Sequence, residues 1–524
     1  MNRIASFSRI LQFFSLAVLT QLTLMASQLV LLPIQIHLWG DSATASWYAA
    51  IAVANITTIA DCGMRLAGHA ELLRSLRESP ADNTSTEHFR QVWAWIRMLV
   101  LAVTATLLVG DAIYCLVFQG TAYPLWRGAL VVACALETIL IVRIMYLDSL
   151  GLYRGAEASY FIFATLRLAL SFVGLIVFRM QATGLAWLFL ASSVVAVLWQ
   201  ARVCARAGTL GLFEKLPRKL SFRVLALARH TLAEPCANWV RLSLPVLMLT
   251  ALAPAEAVTT YVALRAVFGV ARSTVQQLAR VASVEYLRIR ALGRDYKAEC
   301  ILGTFVLVSV ALGTALAAGV VADNLRILSL WLRHFDRRTF QSVVASFAAG
   351  APFYGYQIIL SLMFRVGQLG SVARRLYAFV LYSGLFAAVS LAFGSFHFYL
   401  VLVAVSEILL SASFMWPALR VEERKVQAGY RGFETACLGS LLVLVLWSAL
   451  MWSSANIFAD VSMTSVGWAL ACLVIILGVL AVFAFLRNAD ILRTALRPST
   501  HSPDADPQLV AILFENTIAQ SEAP

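Results

Sequence analysis

Residues 14–37 read FSLAVLTQLTLMASQLVLLPIQIH, a stretch without a single formal charge. A helix rises about 1.5 Å per residue, so a run of this length reaches across the roughly 30 Å hydrocarbon core of a bilayer. Arg3 and Arg9 stand ahead of it, as basic residues do in a signal peptide. The apolar run nevertheless continues past any small-residue cleavage site to about Ile36, and it reads as a first transmembrane helix rather than a removed segment.

Blocks of the same kind recur along the chain. Of 524 residues, 60% are hydrophobic and only 13% charged, and the mean hydropathy is +0.80. A soluble domain carries about 25% charged residues, so a water-soluble protein of this size is excluded. The pattern predicts an all-α integral membrane fold of about fourteen transmembrane helices, near 14–37, 46–68, 96–118, 126–147, 159–178, 184–204, 231–252, 256–283, 300–321, 340–364, 373–394, 396–417, 433–454 and 464–486. Two six-helix bundles, 1–204 and 231–418, are expected on either side of a basic cytoplasmic linker at 205–230. An additional two-helix segment at 419–496 and a polar, Pro/Ser-rich tail at 497–524, expected to be disordered, complete the chain.

The net charge of +13 does not point to nucleic acid, which requires basic residues clustered on an exposed face. Here they sit in short strips between apolar blocks, such as Arg202 to Arg229, Arg288 to Lys297 and Arg420 to Arg431. With a cytoplasmic N-terminus, about 27 of the 41 basic residues fall in cytoplasmic segments and about six outside. The positive-inside rule then places both termini in the cytoplasm of a multi-pass protein. The eight cysteines form no C-x-x-C pair and lie near no histidine cluster. They read as small packing residues, and neither a metal nor a cofactor is implied.

Ionisable residues at bilayer depth face a partner or a cavity. Eight arginines and no lysine fall within spans: Arg65, Arg97, Arg143, Arg167, Arg241, Arg265, Arg272 and Arg280. Asp61 and Arg65 are four apart and can pair, while Arg97, Arg143 and Arg280 lie near cytoplasmic ends and can snorkel. Arg167, Arg241, Arg265 and Arg272 lie near mid-span, and Arg272 follows Arg265 by seven residues, on the same face and about 10 Å deeper. Their candidate counter-ions, Glu137, Glu234 and Glu407, do not outnumber them. Two readings are open: a cationic cavity that receives an anion, for which the planar guanidinium fork suits phosphate, or a set of buried interhelical Arg–Glu pairs. The excess of arginine favours the cavity. Trp39, Trp47, Trp126, Trp447, Trp452 and Trp468 lie near predicted interfaces and read as a membrane belt.

A loose internal repeat accompanies this pattern. Pro33, Tyr48 and Glu71-Leu-Leu-Arg74 in the first half answer to Pro245, Tyr261 and Glu285-Tyr-Leu-Arg288 in the second. Repeated halves are the arrangement that permits alternating access, with Pro33 and Pro245 as equivalent bending points.

The stretch His37-Leu-Trp-Gly40 through Trp47-Tyr48, then Ile59-Ala-Asp61-Cys-Gly63-Met, then Glu71-Leu-Leu-Arg74, resembles the opening of polysaccharide and O-antigen flippases. These belong to the multidrug, oligosaccharidyl-lipid and polysaccharide exporter superfamily. Leu252-Ala-Pro-Ala-Glu256 to Thr260-Tyr261-Val-Ala resembles the start of that family's second half, and Leu328-Ser-Leu-Trp-Leu332 its external segment. Trp39, Ala49 and Cys62 depart from the commoner residues, and Ser283 or Val284 stands where a proline is usual.

The resemblance covers roughly residues 10–420. It implies two six-helix bundles around a central cavity and, in the lipid-linked saccharide branches, a cationic cavity for a polyprenyl-pyrophosphate-linked sugar. It implies a non-enzymatic flippase of the bacterial inner membrane that serves cell-surface polysaccharide synthesis, such as that of lipopolysaccharide or exopolysaccharide. Its partners would be the lipid-linked oligosaccharide and membrane lipids, with polysaccharide polymerase and glycosyltransferases as candidates. A lipid II flippase is a rival within the superfamily, since some members with two extra C-terminal helices are lipid II flippases. A multidrug exporter, which favours an acidic cavity, fits the arginine excess poorly. A membrane glycosyltransferase or polymerase is the rival of another class, but Asp323, His334 and Asp336 lie in an external loop too short for a catalytic subdomain.

Overall fold

The computed structural model describes residues 2–69, 71, 84–119, 124–149, 153–206, 222–291, 337–365 and 368–422, with scattered residues between 298 and 320. The chain divides into two compact units, Met1–Ala263 and Leu264–Pro524. Among the described residues every regular element is helical.

The first unit opens with α1, Asn2–Ala54, which is two helices joined at Gly40 (φ 77°, ψ 173°). Pro33 lies inside the first of them, where its ring removes one backbone donor and crowds the carbonyl of Leu29. Across the Gly40 break the Tyr48 hydroxyl donates to Gln35 Oε1 at 3.1 Å, and the Thr44 hydroxyl donates to the Gly40 carbonyl at 2.7 Å. A 3-10 segment, Asn55–Ile59, and a turn at 60–63 follow. Four long helices come next: α2 (Thr84–Ile113), α3 (Leu125–Ser149), α4 (Tyr153–Ile176) and α5 (Ala182–Arg206).

These helices pack because each carries small and aliphatic residues on its inner side. α4 lies against α1 and α5, and α3 against α5, around Leu31, Trp47, Leu130, Cys134, Leu175 and Leu185. A second cluster joins α2 to α3 through Phe89, Trp93, Ile96, Val142 and Tyr146. Opposite faces are left apolar and exposed, at Leu116, Val117, Val177 and Phe178. That distribution suits contact with lipid and not with water.

The segment that follows is broken into α6 (Phe222–Thr231), α7 (Ala233–Leu242) and α8 (Leu244–Leu252). Pro245 is in the first turn of α8, where its missing N–H is an orphan in any case. Helix α9 (Ala255–Ala291) begins in the first unit and continues into the second.

In the second unit α10 (Arg337–Gly350), α11 (Tyr356–Arg365) and α12 (Leu369–Phe393) all pack against α13 (Phe396–Glu422). Phe268 of α9 stacks on Phe347 of α10 at 5.3 Å, and Tyr356 on Phe414 at 5.8 Å. The tight reversal that the expected spans 373–394 and 396–417 require is present. Gly394 is left-handed (φ 63°) and closes α12 by donating to the Leu391 carbonyl.

Eight described helical stretches are long and apolar enough to cross a membrane: Leu22–His69, Phe89–Val117, Leu125–Leu147, Glu157–Ile176, Ala182–Ala205, Val224–Leu252, Leu369–Phe393 and Phe396–Phe414. The chain is a multi-pass membrane protein. The expected spans 14–37 and 46–68 run on as one stretch, because a single residue, Gly40, makes the break for which a loop at 38–45 was expected. The expected span 256–283 falls on α9, whose arginines lower its hydropathy and keep it out of the eight. The expected spans 433–454 and 464–486, the tail at 497–524 and most of 300–321 lie outside the described residues, so the count of fourteen is not reached here.

Candidate functional site

The clearest charged centre is in the first unit. Glu137 stands mid-way along α3 and Arg167 mid-way along α4, and the two helices are neighbours. Arg167 Nη1 donates to Glu137 Oε2 at 3.0 Å. The guanidinium also lies between two rings, 4.5 Å from the centroid of Phe163 on its own helix and 4.4 Å from that of Phe189 on α5. A cation over a ring face gains about 0.5–2 kcal/mol, more as water is removed. Arg167 Nε is buried and has no hydrogen-bond partner among the described residues. One edge of the fork is thus committed to a carboxylate, while the other holds a donor still to be satisfied.

Behind Phe189 runs an aromatic chain. Trp47 contacts Phe189 at 5.4 Å, Trp126 at 6.0 Å and Trp39 at 5.6 Å, and Trp47 itself is fully buried. Three tryptophans read as membrane belt therefore meet one another, and Trp47 belongs to the core. At the end of this chain Arg127 lies beside Trp126 and pairs with Asp111 at 3.4 Å.

On the other side of Glu137 the helix is fastened to the 3-10 segment. Cys134 Sγ reaches Asn55 Oδ1 at 3.8 Å, and the Thr138 hydroxyl donates to the Thr57 carbonyl at 3.3 Å. The turn after it holds Asp61, which is fully buried. Its Oδ1 accepts the Gly63 N–H at 3.1 Å, and its Oδ2 faces Arg65 Nε at 3.3 Å. The predicted Asp61–Arg65 pair thus forms, from a turn instead of a continuous helix. Gly63 has φ 75°, and a Cβ there would lie 2.5 Å from the Ala228 carbonyl oxygen and closer still to the Leu232 nitrogen. The Thr231 hydroxyl donates to the Gly63 carbonyl at 2.6 Å. The motif Ile59-Ala-Asp61-Cys-Gly63 is therefore a docking turn for the end of α6.

The remaining predicted residues are distributed as follows. Glu234 and Arg241 lie seven apart on α7, both half-buried, and Pro245 follows just past the break at Ser243. Arg265 and Arg272 are half-buried on α9, two turns apart on one face, and belong to the second unit. Glu407 of α13 packs against Gly350. Of the four arginines singled out, the structure joins Arg167 to one of the three candidate counter-ions, Glu137.

Arg143 departs from expectation. A snorkelling residue keeps its head in water, yet Arg143 is 0% exposed and lies 5.7 Å from the Trp93 ring. The reason is that α2 starts at Thr84, well before the expected 96, so Phe89 and Trp93 cover the end of α3. The signal available in the sequence was the aromatic pair Trp93–Trp95, just ahead of the span expected at 96–118.

No family model matches the sequence, and no curated protein is similar to it in sequence. Solved structures do match. The lipid II flippase MurJ, in an inward closed conformation, is similar with a TM-score of 0.58 at 12% identity, over 92% of this chain and all of that one. The chain folds as MurJ does. A multidrug resistance MATE transporter of the MOP superfamily, inward-facing, reaches 0.49 at 11% identity over 79% of this chain and 96% of its own. A MOP superfamily transporter from Pyrococcus furiosus reaches 0.40 at 14% identity, over 79% of this chain and 96% of its own.

Proposed function

We propose that the protein is a flippase of the bacterial inner membrane that moves a polyprenyl-pyrophosphate-linked saccharide from the cytoplasmic to the outer leaflet by alternating access. The observation that carries this reading is the likeness to the MurJ lipid II flippase across 92% of the chain. The arginines supply its chemistry. The diphosphate pairs with Arg265 and Arg272, which share a face of α9 about 10 Å apart, with Arg241 and Arg167 as further contacts. Guanidinium forks give parallel charge-assisted hydrogen bonds to phosphate oxygens and stay charged throughout. Glu137 orients Arg167, and Glu234 and Glu407 act as counter-ions when no substrate is bound. The prenyl chain remains in lipid. A ligand shifts a two-state transporter only by its differential affinity for the two states, so the diphosphate drives the cycle only if the arginines grip it unequally in the two.

A second reading has support of its own. A solved structure whose fold this chain shares is a lipid II flippase, so lipid II itself is the other substrate to test. The deciding experiment is leaflet-resolved measurement of lipid-linked saccharides in a deletion strain, complemented by wild type or by Arg265→Ala/Arg272→Ala. Under the proposal an intermediate accumulates on the cytoplasmic face, wild type clears it, and the double variant clears it at least about tenfold more slowly, as loss of one charge-assisted contact implies. Mass spectrometry of the accumulated species separates lipid II from a surface-polysaccharide precursor. An intermediate that crosses normally and then fails to be polymerised would overturn the flippase reading in favour of an enzyme.

A further inference from the structure

An open groove of about 330 Å³ lies at the membrane-facing edge of the first unit, lined by Pro33, Ile34, His37, Leu38, Leu175, Ile176 and Arg179. Its walls are apolar and come from the first segment of α1 and the end of α4. Both belong to stretches long and apolar enough to span the bilayer. Ile176, Val177 and Phe178 beside it are exposed, as lipid-facing residues are. At one end sits Arg179, in the short connection to α5, exposed and with no ion-pair or hydrogen-bond partner among the described residues. It takes φ 47°, a conformation that side chains other than glycine and asparagine rarely adopt.

The connection is firmly held in place. Met180 N–H donates to the Gly174 carbonyl at 2.9 Å, and the Trp39 indole N–H donates to the Met180 carbonyl at 2.8 Å. A glycine would serve the backbone at 179 better than an arginine, so the guanidinium has its use outside the turn. His37, on the facing wall, has Nδ1 tied to the Pro33 carbonyl at 2.8 Å. That bond makes Nδ1 the donor and leaves Nε2 as the ring atom free to meet something in the groove.

We infer that this groove holds an anionic phospholipid, one acyl chain lying along Ile34, Leu38, Leu175 and Ile176 and the phosphate resting on Arg179 beside His37. The argument is charge complementarity at the mouth of an apolar channel that opens to lipid. An unpaired guanidinium at the end of a span meets headgroup phosphates and little else. None of the arginines assigned to transport lines the groove, and the inference does not depend on which saccharide the protein carries.

The test uses the full-length protein, stripped of lipid in detergent and titrated separately with dioleoylphosphatidylglycerol and dioleoylphosphatidylcholine, with bound lipid counted by native mass spectrometry. Wild type is expected to take its first phosphatidylglycerol about tenfold more tightly than phosphatidylcholine, the effect of one charge-assisted contact. Arg179→Gly, which suits the backbone and so folds, loses that preference, and Arg179→Lys keeps most of it. Ile176→Trp narrows the groove without touching a charge and weakens phosphatidylglycerol binding as well. The inference is overturned if wild type shows no preference, if Arg179→Gly retains it, or if Ile176→Trp binds as wild type does.

Discussion

Gly40 and Gly63 have nearly the same backbone angle, φ 77° and 75°, and opposite surroundings. Among the described residues, nothing lies within 4 Å of where a Cβ would stand on Gly40 beyond its chain neighbours and its own helix backbone. On Gly63 the same atom would overlap the Ala228 carbonyl and the backbone of Leu232. Gly40 bends α1 by its own freedom, with open space among the described residues where a Cβ would stand. Gly63 lets the end of α6 come up against the turn at 60–63, with the Thr231 hydroxyl closing the contact. One glycine is therefore required by local conformation, and the other by conformation and by close approach together. A left-handed angle by itself does not distinguish a joint from a docking point; the space around the missing Cβ does.

The largest effect is expected at Gly63. Gly63→Ala adds backbone strain to an overlap with main-chain atoms, which cannot swing aside as a side-chain end would. About 3–5 kcal/mol of destabilisation follows. It should show as a large drop in the apparent melting midpoint in detergent and in the yield of folded protein. A Gly63→Ala variant that melts with wild type would mean that α6 does not dock on this turn.

Gly40→Ala should be milder. Its conformation, with ψ near 173°, is one that nearly only glycine adopts, at a strain of about 1–3 kcal/mol. The alanine also narrows the unfolded ensemble and returns about 0.4–1 kcal/mol. A net loss of about 1–2 kcal/mol is expected. The comparison sharpens with Gly40→Leu, which should melt close to Gly40→Ala because the added atoms meet open space. A Gly40→Leu variant that falls far below Gly40→Ala would place a neighbour there that the structure lacks.

This contrast also marks how far the sequence is legible. Hydropathy exposes the helical blocks, and the reversal at Gly394 can be read because a glycine separates two apolar runs. The bend at Gly40 cannot, since hydropathy reports composition and not φ, and the residues after it are as helical as those before. The same limit governs the charges. The mid-span depth of Arg167 follows from counting residues, and Glu137 stands out as a possible counter-ion. Their pairing across thirty positions comes from the packing of α3 on α4 and has no local signature. Arg143 shows the reverse case. Its place near a helix end suggested water, and only the early start of α2 puts Trp93 over it.

The smallest effect, and the finest division of the Gly63 contact, belongs to Thr231→Val. The hydroxyl donates to the Gly63 carbonyl at 2.6 Å and lies within 3.3 Å of the Leu227 and Ala228 carbonyls of its own helix. Valine keeps its shape and removes the donor. The Gly63 carbonyl is not orphaned, since the Ala67 N–H also reaches it at 3.2 Å. The loss should therefore sit at the low end for a buried hydrogen bond, about 1 kcal/mol, and Thr231→Ser should recover most of it. The melting midpoint of Thr231→Val then falls between wild type and Gly63→Ala, nearer wild type. Were it to fall as low as Gly63→Ala, the hydroxyl and not the absent Cβ would be what joins the turn to α6. Gly63 would then differ from Gly40 by one hydrogen bond rather than by the space around it.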